Sequence, residues 1–533
     1  MKWIRRAVQA LFLLLFLYLI LSTADPLHGP IPVPLVLRFS LFAAVTASLA
    51  AKTFIIHYWP ALLLIPLTLL LGRVFCGWVC PLGATIDASD WALRKFRKRN
   101  PSIGNARRFK YYLLGALIVA AVFGAQAGGW FDPLSIVTRS YALVVHPIVY
   151  AAFDGVVGLS YRFAPLEPVG DFTASVSQRV LSFQNPITQQ PVFIGQILIA
   201  SMFFVILALG VAYRRFWCRA LCPLGALLAL MSRWSPIRRA VGDDCISCLK
   251  CEDICPTEAI TGEGKKTRSR ECTLCMNCPP VCPVETITFA RKGSRRPAEA
   301  PVDVTRRGVV AGLIGGAVAA PILRIRFWQR KGKGNPTLIR PPAVGTEEEF
   351  LAKCVRCGEC MKVCVTNGLQ PVMLEGGLAG LMAPRLVPRA GYCAYECNLC
   401  GEVCPSQAIK SLPLEDKQKV VLGKAFFDRS RCIPWAAYNT VSSPGRQYGV
   451  QWSDAFNCAV CEEHCPVPEK AIHFSKYQFR DGDPQHVINR PYVRLDKCIG
   501  CGICENKCPL PGPAAVRVTA VDQTSPDLPQ LYG

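Results

Sequence analysis

Cys498-Ile-Gly-Cys501-Gly-Ile-Cys504-Glu-Asn-Lys-Cys508-Pro509 sets three thiols two residues apart, then a fourth after three more. As thiolates, the close three suit one iron–sulfur cube, and the fourth, before proline, suits a neighbouring cube. A four-cysteine zinc site usually draws on two separated pairs, so a continuous run of four argues against zinc. Six copies of this run, intact or lightly modified, use 24 of the 28 cysteines. The remaining four form a second repeated motif, and none is left over. The even number would also suit a disulfide set, but the repeated spacing brings sulfurs to clusters rather than to one another. The pattern implies electron transfer through six [4Fe–4S] clusters.

Elements must hold those runs. With 533 residues, several domains are expected. A formal charge of +23 invites a nucleic-acid partner, but the basic residues lie beside apolar segments, where the positive-inside rule puts them. No nucleic acid is expected. A hydrophobic fraction of 51% and positive mean hydropathy point to membrane segments.

Lys2, Arg5 and Arg6 precede the first apolar run, 8–22, read as a transmembrane helix with its N-terminus inside. Residues 35–51 are only moderately apolar and are expected at the outer interface. Further spans are expected at 54–71, 111–127 and 192–212. Residues 91–110 carry eight Lys/Arg and no acid, which marks that end as cytoplasmic. The loop 128–190, with three Arg against four acids, suits the outer side. Two spans end alike, in Arg73-Val-Phe-Cys76-Gly-Trp-Val-Cys80-Pro81-Leu-Gly83 and Arg215-Phe-Trp-Cys218-Arg-Ala-Leu-Cys222-Pro223-Leu-Gly225. Cysteines four apart share a helical face, and proline suits the start of a new helix. Cys76, Cys80, Cys218 and Cys222 could therefore converge on an additional redox centre, or serve as buried structural thiols.

After the membrane domain, 1–235, the segment 236–300 reads as a cytoplasmic two-cluster ferredoxin of α+β fold. One cube would take Cys245, Cys248, Cys251 and Cys282; the other Cys272, Cys275, Cys278 and Cys255. Each run is followed by a Glu-Ala-Ile or Glu-Thr-Ile echo, Glu258 to Ile260 and Glu285 to Ile287. Thr305-Arg306-Arg307-Gly308 opens an apolar segment, 303–325, read as a twin-arginine-type transmembrane anchor that stays uncleaved. A basic Pro/Gly-rich linker follows. The domain 345–533 carries four motifs: Cys354, Cys357, Cys360 and Cys364; Cys393, Cys397, Cys400 and Cys404; Cys432 with Cys458, Cys461 and Cys465; and Cys498, Cys501, Cys504 and Cys508. Twenty-five residues separate Cys432 from Cys458. The stretch from Cys404 through Ile409 to Cys432 suggests that motifs two and three share one unit, leaving the first and last to close another. The fold class is thus multidomain: a polytopic α-helical membrane domain with α+β bacterial-ferredoxin-like domains.

On these residues the chain resembles a fusion of the NapH-type membrane subunit and the NapG-type exported subunit of the periplasmic nitrate reductase quinol dehydrogenase. Cys76-x3-Cys80-Pro81, Cys218-x3-Cys222-Pro223 and the cytoplasmic ferredoxin carry the first likeness. Arg306-Arg307, Gly391-Tyr392-Cys393 and the four later motifs carry the second. Related proteins serve maturation of other metalloenzymes. The resemblance implies a quinol dehydrogenase subunit of the bacterial inner membrane, with its C-terminal domain in the periplasm. It would take electrons from membrane quinol, its substrate, to a periplasmic reductase or cytochrome c. The alternatives are a maturation factor and a conduit from a cytoplasmic donor. His57, His146 and Tyr58 are candidate proton acceptors near the outer interface, against ordinary interfacial packing.

Overall fold

The computed structural model describes residues 2–27, 29–93, 103–161, 191–291, 298–299, 304–325, 335–436, 458–478 and 487–520. The basic residues 94–102, the later part of the 128–190 loop and most of the Cys432–Cys458 insertion lie outside the described residues.

Helices dominate the first half, as its long apolar runs require. Among the described residues of the whole chain, three helices are long and apolar enough to cross a membrane: Trp3–Leu21, Pro133–Val156 and Arg306–Leu323. The expected spans at 54–71, 111–127 and 192–212 form shorter apolar helices. The 54–71 run breaks at Leu63 into Trp59–Leu62 and Leu64–Leu71, and Pro60 lies within the first piece.

Two expectations need correction. Pro133–Val156 lies in the stretch read as an outer loop, yet it is helical. Its apolar pattern is diluted by Asp132, Ser135, Thr138, Arg139 and Ser140, which turn into the protein and are buried. Leu41–Ala51 does not lie flat on a surface: Phe42, Ala43 and Ala47 are buried in the main apolar core, beside the Phe109–Val122 helix.

The Arg306–Leu323 helix packs along Phe109–Val122 in the same direction. Thr305 caps its start, accepting from Gly308 N at 3.3 Å. Gly308, Gly312 and Gly316, four apart, share a face. A Cβ at Gly312 would meet the Tyr112 carbonyl oxygen at 2.7 Å, and one at Gly316 the Ala116 oxygen at 2.3 Å. Small residues let two backbones touch where apolar burial alone gives little drive. Gly316→Leu is therefore expected to cost about 1–3 kcal/mol by overpacking. Protease sensitivity in detergent around residue 325 should rise. Gly315→Leu, where a Cβ meets nothing within 4 Å among the described residues, should leave it unchanged.

Both ends of the bundle carry cysteine-rich units. Lys110, where Phe109–Val122 starts, contacts residue Glu271; Gln126, just past its end, contacts Arg356. The unit around 237–291 and the unit beginning near 339 therefore sit at opposite ends.

Each unit follows one plan: strand, cysteine run, hairpin, cysteine run, returning strand. In the first, Ile237–Val241 pairs antiparallel with Ile287–Arg291, and Ile260–Thr261 with Lys266–Thr267 forms the hairpin. In the last, Gly423–Phe427 pairs with Val516–Ala520 around the hairpin of Ile472–Gln478 and Val487–Val493. The middle unit is a reduced version. Its hairpin is Leu369–Pro371 with Pro384–Leu386, Ile339 bridges Leu386, and Lys410 N closes onto the Ala343 carbonyl at 3.2 Å. Motif one therefore shares a unit with motif two, and motif three with motif four. This overturns the expected pairing of two with three. The strand beginning at Gly423, which follows motif two in sequence, opens the next unit rather than closing its own.

Candidate iron–sulfur centres

In four of the six runs left-handed residues flank the second cysteine, Leu274 and Met276 doing so at Cys275. Ser247 and Leu249 bracket Cys248, Arg356 and Gly358 bracket Cys357, and Gly500 and Gly502 bracket Cys501, all with positive φ. Such turns aim successive amide N–H groups at the sulfurs, as backbone nests do. The amides of Arg356, Glu359, Leu274, Asn277, Gly500 and Ile503 donate to Cys354, Cys357, Cys272, Cys275, Cys498 and Cys501, each two residues earlier.

The sequence echo after each fourth cysteine also has a structural reason. Glu258, Gln407 and Lys470 take positive φ. That reversal turns the next segment back, so that Ala259, Ile409 and Ala471 amides donate to Cys255, Cys404 and Cys465 at 3.3, 3.5 and 3.3 Å. Ala515 N does the same to Cys508 at 3.4 Å. These donors were missed in the sequence, although the recurring Ala-Ile after Cys-Pro was their trace. Hydrogen bonds to ligand sulfur stabilise its negative charge and set cluster potential.

The fourth cysteines cross. One void is lined by Cys354, Cys357, Cys360 and Cys404, another by Cys364, Cys393, Cys397 and Cys400. Cys432, Cys458 and Cys461 are electrostatic neighbours of Cys508, and Cys498 and Cys501 of Cys465. In the first unit Cys255 joins Cys272, Cys275 and Cys278, while Cys251 neighbours Cys245 and packs in the core that includes Cys282. Among the described residues no three His, Cys, Asp or Glu side chains close onto a single-ion position. Thiols around a void, fed by amide donors, fit a [4Fe–4S] cube.

The later sites form a line. Cys360 neighbours Cys400, the Cys393 amide donates to the Cys501 carbonyl at 2.9 Å, and Cys504 neighbours Cys461. The order is therefore the Cys354, Cys393, Cys498 and Cys458 sites. The first of these lies against the helical bundle. Arg139 Nη1 donates to the Arg356 carbonyl at 2.9 Å, Lys362 Nζ to the Thr23 carbonyl at 2.8 Å, and Thr23 Oγ1 to Glu359 at 3.2 Å. Arg356 also stacks on Trp130, 4.8 Å from its ring centre. Beside this seam a cavity of about 350 Å³ is walled by Ala50, Gln126, Trp130, Leu323, Ala352 and Arg356.

At the opposite end, Cys76, Cys80, Cys218 and Cys222 lie within electrostatic reach of one another. Their two motifs brace each other through arginines the sequence reading had not singled out. Arg215 donates to the Cys76 carbonyl at 3.4 Å and lies over Gly83; Arg73 lies over Gly225. Gly225 N donates to Cys222 Sγ at 3.2 Å. Arg215 also pairs bidentately with Asp87, at 2.7 and 2.6 Å, and neighbours Cys275 of the first unit. Arg73 reaches Glu271 at 2.8 Å, joined there by Lys110 at 2.5 Å and Tyr111 at 2.8 Å. Burial pushes the Glu271 carboxyl up, but the Lys110 and Arg73 charges outweigh it and hold it at about 2.

Of the candidate proton acceptors, Tyr58 is buried near the Cys354 site, while His57 and His146 are half-buried. From Tyr58 to Cys76 the chain climbs roughly 27 Å of mostly helical backbone at 1.5 Å per residue.

Comparison with known proteins gives a consistent picture. The signature of a 4Fe–4S binding domain matches residues 58–100 and 194–241, and a second 4Fe–4S binding domain matches 242–261 and 491–510. The ferredoxin-type protein NapG of Escherichia coli K12 is 29% identical over 188 residues, covering 35% of this chain and 72% of its own. The methylamine utilization ferredoxin-type protein MauM of Methylorubrum extorquens is 30% identical over 195 residues, covering 36% and 77%. The ferredoxin-type protein NapH of E. coli K12 is 26% identical over 187 residues, and the match spans 47% of its length. No solved structure matches.

Proposed function

Since the chain belongs to the ferredoxin-type iron–sulfur family that includes NapG and MauM, we propose that it takes electrons from membrane quinol and delivers them singly to a periplasmic reductase or cytochrome c. On this reading the Lys110 end of the bundle faces the cytoplasm, the Gln126 end faces the periplasm, and Arg306–Leu323 crosses between them as an uncleaved anchor. The six thiol sets would hold [4Fe–4S] clusters, which supply one-electron storage between a two-electron donor and a one-electron acceptor.

One observation carries the proposal: the Cys354 site sits on the end of the bundle, and the other three C-terminal sites lead away from it in line. The cavity of about 350 Å³ has the size of a small-molecule site. Arg356, in its wall, lies between Cys354 and Cys357 in the chain. Quinol bound there would stand one side chain from the first site. Gln126 and Trp130 would orient the ring, and Glu348 at the cavity's edge would pass protons to solvent.

A second reading, an outward conduit from a cytoplasmic donor, draws on Arg215, which neighbours both Cys218 and Cys275. One pair of variants separates the two. If quinol enters at the Cys354 site, Cys404→Ala should abolish quinol-to-dye turnover, and Cys251→Ala should retain most of it. A conduit predicts no quinol turnover in the parent protein, and loss of donor-driven dye reduction in both variants.

A further inference from the structure

Tyr58 and Arg139 belong to the helical bundle, yet each is placed against the cysteines of another domain. The Tyr58 side chain is 2% exposed, and its hydroxyl has no hydrogen-bond partner among the described residues. It packs in one apolar core with Val355 and Cys357. Its electrostatic neighbours include Cys357, Cys404 and Cys354, three of the four thiols lining the first void. Arg139 is fully buried. Its Nη1 is used on the Arg356 carbonyl, but its Nε and Nη2 have no partner among the described residues. Its Cα lies 3.6 Å from where a Gly358 Cβ would stand, and Cys357 and Cys354 are its neighbours as well.

A buried donor without an acceptor costs about 1–3 kcal/mol, so two such groups converging on one place call for an explanation. Of the other polar groups nearby, Arg38 can only donate and Asp132 is already engaged. Its carboxylate accepts from Ser40 at 2.5 Å and from the Ser135 amide and hydroxyl at 2.8 and 2.9 Å. The sulfurs of Cys354 and Cys357 are acceptors that neighbour both groups.

We propose that Tyr58 and Arg139 of the helical bundle act on the cluster held by Cys354, Cys357, Cys360 and Cys404, and raise its potential. A hydroxyl donor and a guanidinium charge both favour the form carrying the extra electron, because reduction adds negative charge to the sulfurs. The potential of this site thus depends on the bundle being seated against it. Tyr58 and Arg139 are positioning residues of the redox centre rather than participants in quinol chemistry, and the proposal stands whichever donor feeds the wire.

The test is an EPR-monitored redox titration of the full-length, cluster-loaded protein. The signal of the Cys354 site is identified as the one missing from Cys404→Ala. In Tyr58→Phe, which removes only the hydroxyl, that centre is expected to hold its electron about tenfold less tightly, a downward shift of about 59 mV for one electron. The other five midpoints should stay in place. Arg139→Gln should shift the same centre further in the same direction. Tyr111→Phe, whose hydroxyl serves Glu271 at the far end, should leave it unmoved. An unchanged midpoint in Tyr58→Phe, or equal shifts at all six centres, would overturn the proposal.

Discussion

Cys404→Ala is expected to remove about four irons from a protein expected to carry about 24, and to remove them from the Cys354 site rather than from its own run. The reason is the crossing. Cys404 follows Cys393, Cys397 and Cys400 in sequence, but it lines the void of Cys354, Cys357 and Cys360. Its sulfur is held there by the Ile409 amide at 3.5 Å. Iron analysis with EPR decides the matter. The spectrum lost in Cys404→Ala should be the one lost in Cys354→Ala, and the spectrum lost in Cys393→Ala should match Cys364→Ala. Loss of the Cys393 signal in Cys404→Ala would mean that each run closes on itself.

Glu271→Ala should be the most damaging single change outside the cysteines. Arg73, Lys110 and Tyr111 all converge on this carboxylate, and both charged partners are buried. Removing it leaves two cations facing each other without solvent, a loss of about 3–5 kcal/mol. An exposed pair such as Lys353–Glu349 is worth far less. The damage should be local: protease added to the purified protein should release the 237–291 unit from the bundle while the C-terminal sites keep their iron. The pH dependence follows from the same charges. The folded carboxyl titrates near 2, below its ordinary value of 4.5. Its stabilisation is therefore complete above about pH 4.5 and fades as pH falls toward 2. The wild-type unit should remain docked at pH 5 and loosen in stronger acid, and Glu271→Gln should remove that acid dependence.

The chemistry of the chain was legible because cluster ligation constrains residue type and spacing together. Twenty-four cysteines in six runs leave few alternatives, and the crossing in the first unit could be read from two runs standing close in sequence. The pairing of the four later runs could not. It rests on the strand of Gly423–Phe427 meeting Val516–Ala520 across some ninety residues, and no local signal announces such a contact. The Pro133–Val156 helix was hidden for a different reason. The charge balance of 128–190 suited an outer loop. The helix opens on polar residues that face the protein interior, where Asp132 caps it and Arg139 reaches Arg356, although the segment is apolar enough to span a membrane. Arg73, Arg215 and Tyr58 were unremarked as partners because their value lies in residues more than a hundred positions away.

The glycine face between Arg306–Leu323 and Phe109–Val122 also bears on the chemistry of assembly. It ties the C-terminal units to the bundle within one chain. Reassociation after any opening is then unimolecular, at an effective concentration in the millimolar range for a short tether. The seam, with its hydrogen bonds at Thr23, Gln126 and Arg139 and its apolar contacts at Leu143 and Val144, then needs less affinity than a contact between separate proteins. Joined, it can open and reseat many times without loss of its partner, and the ratio of the two halves is fixed at one to one by translation itself.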